Sequence, residues 1–150
     1  KTDNIIEIGP GLGALTQQLL PQLSCLSVIE LDKDLIPLLE EKCRHLGKLI
    51  VYQGDALKFN FKSLSKANGL WRLVGNLPYN ISTPLLFHCL DQASAIQDMH
   101  FMLQKEVVDR LNAQPGQASY GRLSVTQRLF VLSLIKSYLI RPMTHYYLLK

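Results

Sequence analysis

The chain has 150 residues, of which 47% are hydrophobic and 19% are charged. This composition is typical of one packed globular domain and excludes a disordered tail, a collagen and a coiled coil. The formal net charge of +4 is concentrated at one end, since residues 1–100 carry a balance of −1 and residues 101–150 a balance of +5. Such an excess permits a polyanionic partner without requiring one.

Short apolar runs alternate with longer amphipathic segments along the chain. The predicted strands are Ile5–Ile8, Leu26–Leu31, Leu49–Tyr52, Leu70–Val74 and Met99–Leu103. The predicted helices are Ala14–Leu20, Leu35–Leu46, Pro84–Ala93 and Glu106–Ala113. This alternation predicts an α/β fold with a mainly parallel twisted sheet covered by helices on both faces. Ligands of such sheets bind at the carboxyl ends of the strands, where the motifs of this chain fall.

A glycine-rich loop, residues 7–13 (EIGPGLG), follows the first strand. Glycine allows a close approach of the backbone to a ligand and positive φ angles, so the loop predicts a cofactor cradle. The residues predicted to form it are Glu7, Gly9, Gly11 and Gly13. Glu30, at the end of the second strand, is placed to accept hydrogen bonds from ribose hydroxyls. Because Ala14 completes a dinucleotide fingerprint, these two motifs fit NAD and S-adenosylmethionine (SAM) alike.

An acidic residue after the third strand narrows the choice of cofactor. Asp55 can accept a hydrogen bond from the exocyclic amine of an adenine ring, while Ala56 and Leu57 pack against the ring. A Gly-Asp pair is also common in plain turns. As the third motif at a strand end, Asp55 favours SAM.

The tetrapeptide Asn76-Leu77-Pro78-Tyr79 follows the fourth strand. Adenine N6 is a poor nucleophile because its lone pair is delocalised into the ring. The Asn76 side-chain oxygen and the Leu77 carbonyl can accept both of its N–H groups and direct the lone pair at a methyl group. Pro78 restricts Leu77 to an extended conformation, and Tyr79 offers a face for an extracted base. We predict these four residues to be catalytic; the alternative is a proline turn with a partly buried tyrosine.

Six segments together resemble the KsgA-type ribosomal RNA small-subunit adenine N6,N6-dimethyltransferases. They are Glu7–Gly13, Glu30, Gly54-Asp55, Gly75–Tyr79, Met102–Glu106 and Tyr120–Ser124. The continuous stretch from Gly75 to Pro84 is highly specific to that family, and the resemblance covers about residues 4–125.

The resemblance implies a Rossmann-like SAM-dependent fold and N6,N6-dimethylation of two adjacent adenosines in a small-subunit rRNA hairpin, with a role in ribosome assembly. It carries over Gly9, Glu30, Asp55 and Asn76 as SAM contacts, and Pro78 and Tyr79 as elements that hold the target base. The implied partner is small-subunit rRNA within an immature small ribosomal subunit. We expect the protein to be a monomer, and the odd number and wide spacing of its cysteines favour a reducing, cytoplasmic compartment.

Three residues of the basic region are candidate RNA contacts. Lys105 and Arg122 can face phosphates, and Tyr120 can stack on RNA or simply pack against the protein. Glu106 and Arg110 have the spacing of a stabilising helix pair, which is the interpretation we favour for them.

The two ends of the chain depart from the family pattern. We expect a methyltransferase core at residues 1–127 whose N-terminal segment is missing. Residues 128–150 then form an atypical tail in place of the end of the core and the family's small helical C-terminal domain. This tail has no aromatic, triple-proline segment, and we hypothesise that it is an altered or frame-shifted reading of the gene, or an unusual truncation.

Other functions stay open on the sequence. They are a non-catalytic ribosome-assembly factor that binds pre-rRNA, a large-subunit rRNA dimethylase of the antibiotic-resistance type, and a nicotinamide-dependent oxidoreductase. The cysteines, Cys25, Cys43 and Cys89, have neither disulfide nor zinc spacing, and the histidines have no ligand spacing, so we expect no metal. No apolar run approaches the roughly 20 residues of a membrane span, and we expect no membrane association.

Overall fold

The structure, a computed structural model, describes residues 4–126 and 146–149. Within these residues six strands form one sheet in the order β3-β2-β1-β4-β5-β6. They are β1 Asn4–Ile8, β2 Leu26–Glu30, β3 Leu49–Gln53, β4 Trp71–Asn76, β5 Ile96–Gln104 and β6 Tyr146–Leu149. The first five are parallel, and β6 runs antiparallel to β5. The predicted α/β fold with a mainly parallel sheet is therefore confirmed.

Helices connect the five parallel strands, and one more helix follows the last of them. They are α1 Thr16–Leu19, α2 Leu35–Cys43, α3 Phe61–Asn68, α4 Tyr79–Asp91 and α5 Lys105–Asn112, with 3₁₀ turns at Leu20–Gln22 and Ala93–Ala95. Residues 122–126 are also helical. None of the helices in the described part of the chain is long and apolar enough to cross a membrane.

The alternation of side chains along the strands divides the core into two clusters, one on each face of the sheet. Val28 of β2 packs in a cluster with Leu39 and Cys43 of α2. Its neighbour Ile29 belongs to the other cluster, which contains residues of α3, α4 and α5. Successive strand residues point to opposite faces, so both faces need helices to cover them. Coverage on both faces is confirmed.

Two helices differ from the sequence prediction. The prediction missed α3, a short helix whose N-cap Asn60 accepts a hydrogen bond from Ser63 N at 3.2 Å. The predicted start of α4 at Pro84 is wrong, because the helix begins at Tyr79. Pro78, with φ −66° and ψ 151°, is the extended N-cap, so Pro84 lies inside the helix at the cost of one backbone hydrogen bond.

The predicted tail contains a strand that the sequence did not indicate. Residues 146–149 form β6, so this part of the tail joins the sheet of the core. Residues 127–145 and 150 lie outside the described residues, and with them most of the tail. The proposed division at residue 127 and the altered-reading hypothesis therefore stay predictions.

Candidate active site at the carboxyl edge of the sheet

The predicted site residues follow neighbouring strands at one edge of the sheet. Backbone hydrogen bonds continue past the strands there, from Gly9 N to Ile29 O and from Gly54 N to Glu30 O, both at 2.9 Å. These bonds keep the loops after β1, β2 and β3 in register. The residues that the five parallel strands deliver to this edge are Gly9, Glu30, Asp55, Asn76 and Gln104.

Two different structural reasons explain why the loop after β1 requires glycines. Gly9 and Gly11 have φ angles of +65° and +55°, and a Cβ atom on either would meet nothing within 4 Å. The space beside them is therefore open to a ligand, as a cofactor cradle requires. Gly13, at φ +84°, faces inward instead, since its Cβ would lie 2.7 Å from Leu39 Cδ1. Close packing against α2 explains Gly13 without a ligand.

Glu30 connects this loop to the loop after β2 through its two carboxylate oxygens. Its Oε2 accepts a hydrogen bond from Gly11 N at 3.0 Å, and its Oε1 accepts one from Asp32 N at 2.9 Å. The residue is buried. Because each carboxylate oxygen has two acceptor sites, capacity for ribose hydroxyls is retained.

Glu7 is a buried carboxylate at the base of the same loop. Its Oε2 accepts a 2.7 Å hydrogen bond from the Thr16 hydroxyl, which ties β1 to the start of α1. Burial raises the pKa of Glu7; the Thr16 hydrogen bond opposes this, and the charge of Glu30 adds to it. The structure thus gives Glu7 a partner within the protein, and its contact with a cofactor stays a prediction.

Asp55 sits in the turn after β3. Its Oδ1 accepts a hydrogen bond from Leu57 N at 2.9 Å, and its Oδ2 lies 4.0 Å from Lys58 Nζ. The first contact is an Asx turn, which is the ordinary interpretation of the Gly-Asp motif. Ala56 is buried at this turn.

The tetrapeptide predicted to be catalytic lines a single open cavity of about 320 Å³. The lining residues are Asn76, Leu77, Pro78, Tyr79 and Gln104. Asn76 and Tyr79 are exposed to solvent, whereas Leu77 is buried and donates its backbone N–H to Met102 O at 3.1 Å. Pro78 itself is extended, with φ −66° and ψ 151°, while the predicted extended conformation of Leu77 stays a prediction. Local sequence and the β4–β5 pairing together hold these groups around one space.

The Leu77 carbonyl has one near neighbour among the described side chains. The Ser82 hydroxyl lies 3.5 Å from Leu77 O and 2.8 Å from Pro78 O. Its hydrogen bond therefore goes mainly to Pro78, and Leu77 O keeps capacity to accept an amine proton.

Gln104 is a cavity residue that the sequence analysis missed. It is the last residue of β5 and the N-cap of α5. The rule that places ligands at strand ends identifies this position, and Gln104 also lies within the segment Met102–Glu106 that carries the family resemblance. Next to it, the Tyr79 hydroxyl donates a hydrogen bond to Glu106 Oε1 at 3.2 Å.

The candidate RNA contacts divide into two places. Tyr120 and Arg122 line a second cavity, of about 350 Å³, that α4, α5 and the loop before residue 122 enclose. The Arg122 guanidinium stacks 4.7 Å from the centre of the Phe87 ring. Lys105 lies on α5, where its Nζ is 2.6 Å from Asp109 Oδ2. Among the described residues no group of three or more His, Cys, Asp or Glu side chains is arranged to hold a metal ion.

Comparison with known proteins assigns the chain to a family. The sequence model of "Ribosomal RNA adenine dimethylase" matches residues 1–135. Two curated relatives are each named "Ribosomal RNA small subunit methyltransferase A". The one from Marinomonas sp. is 55% identical over 130 residues, which cover 87% of this chain and 49% of the relative. The one from Pseudomonas aeruginosa is 60% identical over 121 residues, which cover 81% of this chain and 45% of the relative. The chain thus spans about half the length of the curated relatives that it matches.

A solved structure agrees with this assignment. A dimethyladenosine transferase from Plasmodium falciparum superposes with a TM-score of 0.77 at 28% identity, over 98% of this chain and 54% of that one. The motifs at the sheet edge, the sequence matches and this superposition point the same way. The chain belongs to the ribosomal RNA adenine dimethylase family.

Proposed function

We propose that this chain takes part in SAM-dependent N6,N6-dimethylation of two adjacent adenosines in a small-subunit rRNA hairpin, during assembly of the small ribosomal subunit. The observation that carries the proposal is the cavity in which Asn76, Leu77, Pro78 and Tyr79 meet at the carboxyl edge of the sheet. The names of the relatives support rRNA of the small subunit as the substrate.

The loops after β1, β2 and β3 fit SAM. Open space beside Gly9 and Gly11 accepts a ligand close to the backbone, and Glu30 presents acceptors for the ribose. Asp55, beside the buried Ala56, is the acceptor for the adenine amine. When bound, SAM supplies an electrophilic methyl group on a positively charged sulfur.

The residues of the cavity act on the target base. The Asn76 side-chain oxygen and Leu77 O accept the two N6 protons and orient the lone pair, while Tyr79 stacks on the base. Pro78 holds Leu77 extended. The amine is neutral, so no general base is needed before transfer. As the new N–C bond forms, the S–C bond of the cofactor would break, and the methylated nitrogen would lose its proton to solvent afterwards. Positioning is therefore the main contribution of the protein.

The target base must be accessible to this cavity. An adenine inside a duplex has to be flipped out, whereas one in a hairpin loop can be splayed out at lower cost. Lys105, Tyr120 and Arg122 are the proposed contacts to the surrounding RNA. The protein is proposed to act as a monomer in the cytoplasm. Sedimentation of the protein alone and with RNA would test the monomeric state.

The test is methyl transfer to immature small subunits from SAM labelled in its methyl group, followed by mapping of N6,N6-dimethyladenosine. We expect transfer by the unaltered protein and its loss in Asn76→Ala. Asn112→Ala is the matched control, because Asn112 is an exposed asparagine at the end of α5 that does not line the cavity. RNA binding without transfer would refute the proposal in favour of an assembly factor, and binding of NADH in place of SAM would refute both.

A further inference from the structure

We propose that Glu106 is a positioning residue that sets the Tyr79 ring against the target base. The inference rests on the proposed function, because it concerns the ring on which the extracted base would stack. It starts from the 3.2 Å hydrogen bond between the Tyr79 hydroxyl and Glu106 Oε1, which joins residues 27 positions apart.

The Tyr79 ring needs such a restraint. Tyr79 is the first residue of α4, so its backbone is fixed by the helix and by the N-cap Pro78. Its side chain, however, is 46% exposed, and packing alone leaves an exposed ring free to change rotamer. A hydrogen bond at the tip of the ring, far from the Cα atom, fixes the direction in which the ring points and so restrains χ1. Because the phenolic O–H bond prefers the plane of the ring, the same hydrogen bond favours one range of χ2.

Glu106 is well placed to supply the restraint. It lies in the first turn of α5, where the helix dipole favours a carboxylate. The same Oε1 atom lies 3.7 Å from Arg110 Nη2 one turn further along, so the carboxylate has a partner on each side. α5 itself is anchored by the buried Val107 and Leu111. The ring is thereby connected to a rigid element rather than to a loop.

The consequence is preorganisation of the stacking face. Tyr79 and Gln104 line the same cavity as Asn76, so the orientation of the ring determines where a stacked base places its amine. Without Glu106 the ring would sample several orientations, and capture of the base would then carry the free-energy cost of ordering the ring. The role of Glu106 is therefore distinct from the simple helix pair with Arg110 that its spacing indicates.

The variants that isolate this bond are Glu106→Ala, Glu106→Gln, Tyr79→Phe and the double variant Glu106→Ala with Tyr79→Phe. Glutamine keeps a hydrogen-bond acceptor, so it should rescue the alanine defect. Asn112→Ala is again the matched control, since Asn112 lies on the same helix and does not line the cavity.

The first readout is independent of catalysis. An RNA hairpin with two adjacent loop adenines, one replaced by 2-aminopurine, is bound in the presence of S-adenosylhomocysteine, and the emission of the bound state reports stacking of the base. We expect Glu106→Ala and Tyr79→Phe to shift this emission alike, and the double variant to add nothing. Glu106→Gln and Asn112→Ala should match the unaltered protein.

The second readout is steady-state transfer. We expect kcat to fall about five- to tenfold in Glu106→Ala, the range that loss of one hydrogen bond gives, with KM for the hairpin within about twofold. Unchanged emission and kcat in Glu106→Ala, or additive effects of the two single changes, would overturn the inference while leaving the proposed function intact. Failure of the unaltered protein to shift the emission or transfer a methyl group would instead refute the proposed function, and the inference with it.

Discussion

Gly75→Ala tests how tightly β4, the strand that leads into the proposed catalytic tetrapeptide, packs against its neighbour. Gly75 is in β4, directly before Asn76, and its neighbour across the sheet is β1. An ideal Cβ on Gly75 would lie 2.7 Å from Ile8 O and 3.4 Å from Leu77 Cδ2. The nearer atom belongs to the backbone of a central strand, so a side-chain rotation cannot relieve the clash. β4 and β1 would have to separate locally by several tenths of an ångström.

The expected cost follows from this geometry. Overpacking of a well-packed core by one methyl group costs about 1–3 kcal/mol. For a domain of this size each kcal/mol lowers Tm by roughly 2–4 °C, so we expect a decrease of roughly 2–12 °C. Because Asn76 moves with the strand and misplacement of about 1 Å can cost up to 100-fold, methyl transfer should fall by about tenfold or more.

The assay is thermal unfolding followed by circular dichroism, with Gly54→Ala as the matched control for stability. Gly54 also lies at the carboxyl edge, directly before Asp55, but a Cβ there meets nothing within 4 Å. Its φ lies outside the left-handed range, so Gly54→Ala should change stability by less than about 0.5 kcal/mol. Equal Tm values for both variants would show that the close approach of β4 to β1 does not constrain the site.

Three further predictions concern a buried carboxyl, a helix cap and the thiols. Burial raises the pKa of Glu7 above its ordinary value of 4.5. Protonation of Glu7 therefore stabilises the folded state, and this stabilisation is fully present below pH 4.5 and is lost as the pH rises through the raised pKa of the folded state. Urea unfolding should therefore show Glu7→Gln to be more stable than the unaltered protein at about pH 7, with the difference gone near about pH 4; the opposite sign would contradict the burial argument. Asn60→Ala should lower the free energy of unfolding by about 1 kcal/mol, because it removes the N-cap of α3. Aspartate also caps helices, so an equal loss of stability in Asn60→Asp would show that the cap is not the cause. Burial raises the pKa of Cys89 to about 12, so in the native protein iodoacetamide should label the half-buried Cys25 first and reach Cys89 only after unfolding, as mass spectrometry would show; equal native rates would contradict its burial.

The fold class and the position of the site were predictable from local patterns. Apolar runs of strand length that alternate with amphipathic segments require a parallel sheet, and a parallel sheet brings the ends of its strands to one edge. Gly9, Glu30, Asp55 and Asn76 were therefore expected at a common edge, and the structure has them there. The boundaries of the helices were harder to predict from the sequence. α4 begins at Tyr79 because Pro78 serves as its cap, although Pro84 is the residue that local rules favour as a helix start.

The sequence by itself determined which chemistry-bearing residues lie at the ends of the strands, because that depends on the order of residues along each segment. Only the tertiary structure decided how those residues meet. The contact of Tyr79 with Glu106 depends on α4 and α5 starting side by side from adjacent strands, and the tight fit at Gly75 depends on its pairing with β1. Gln104 enters the cavity for the same reason, since β5 ends beside β4. Contacts between residues far apart in the chain arise from strand pairing, and no local motif encodes them.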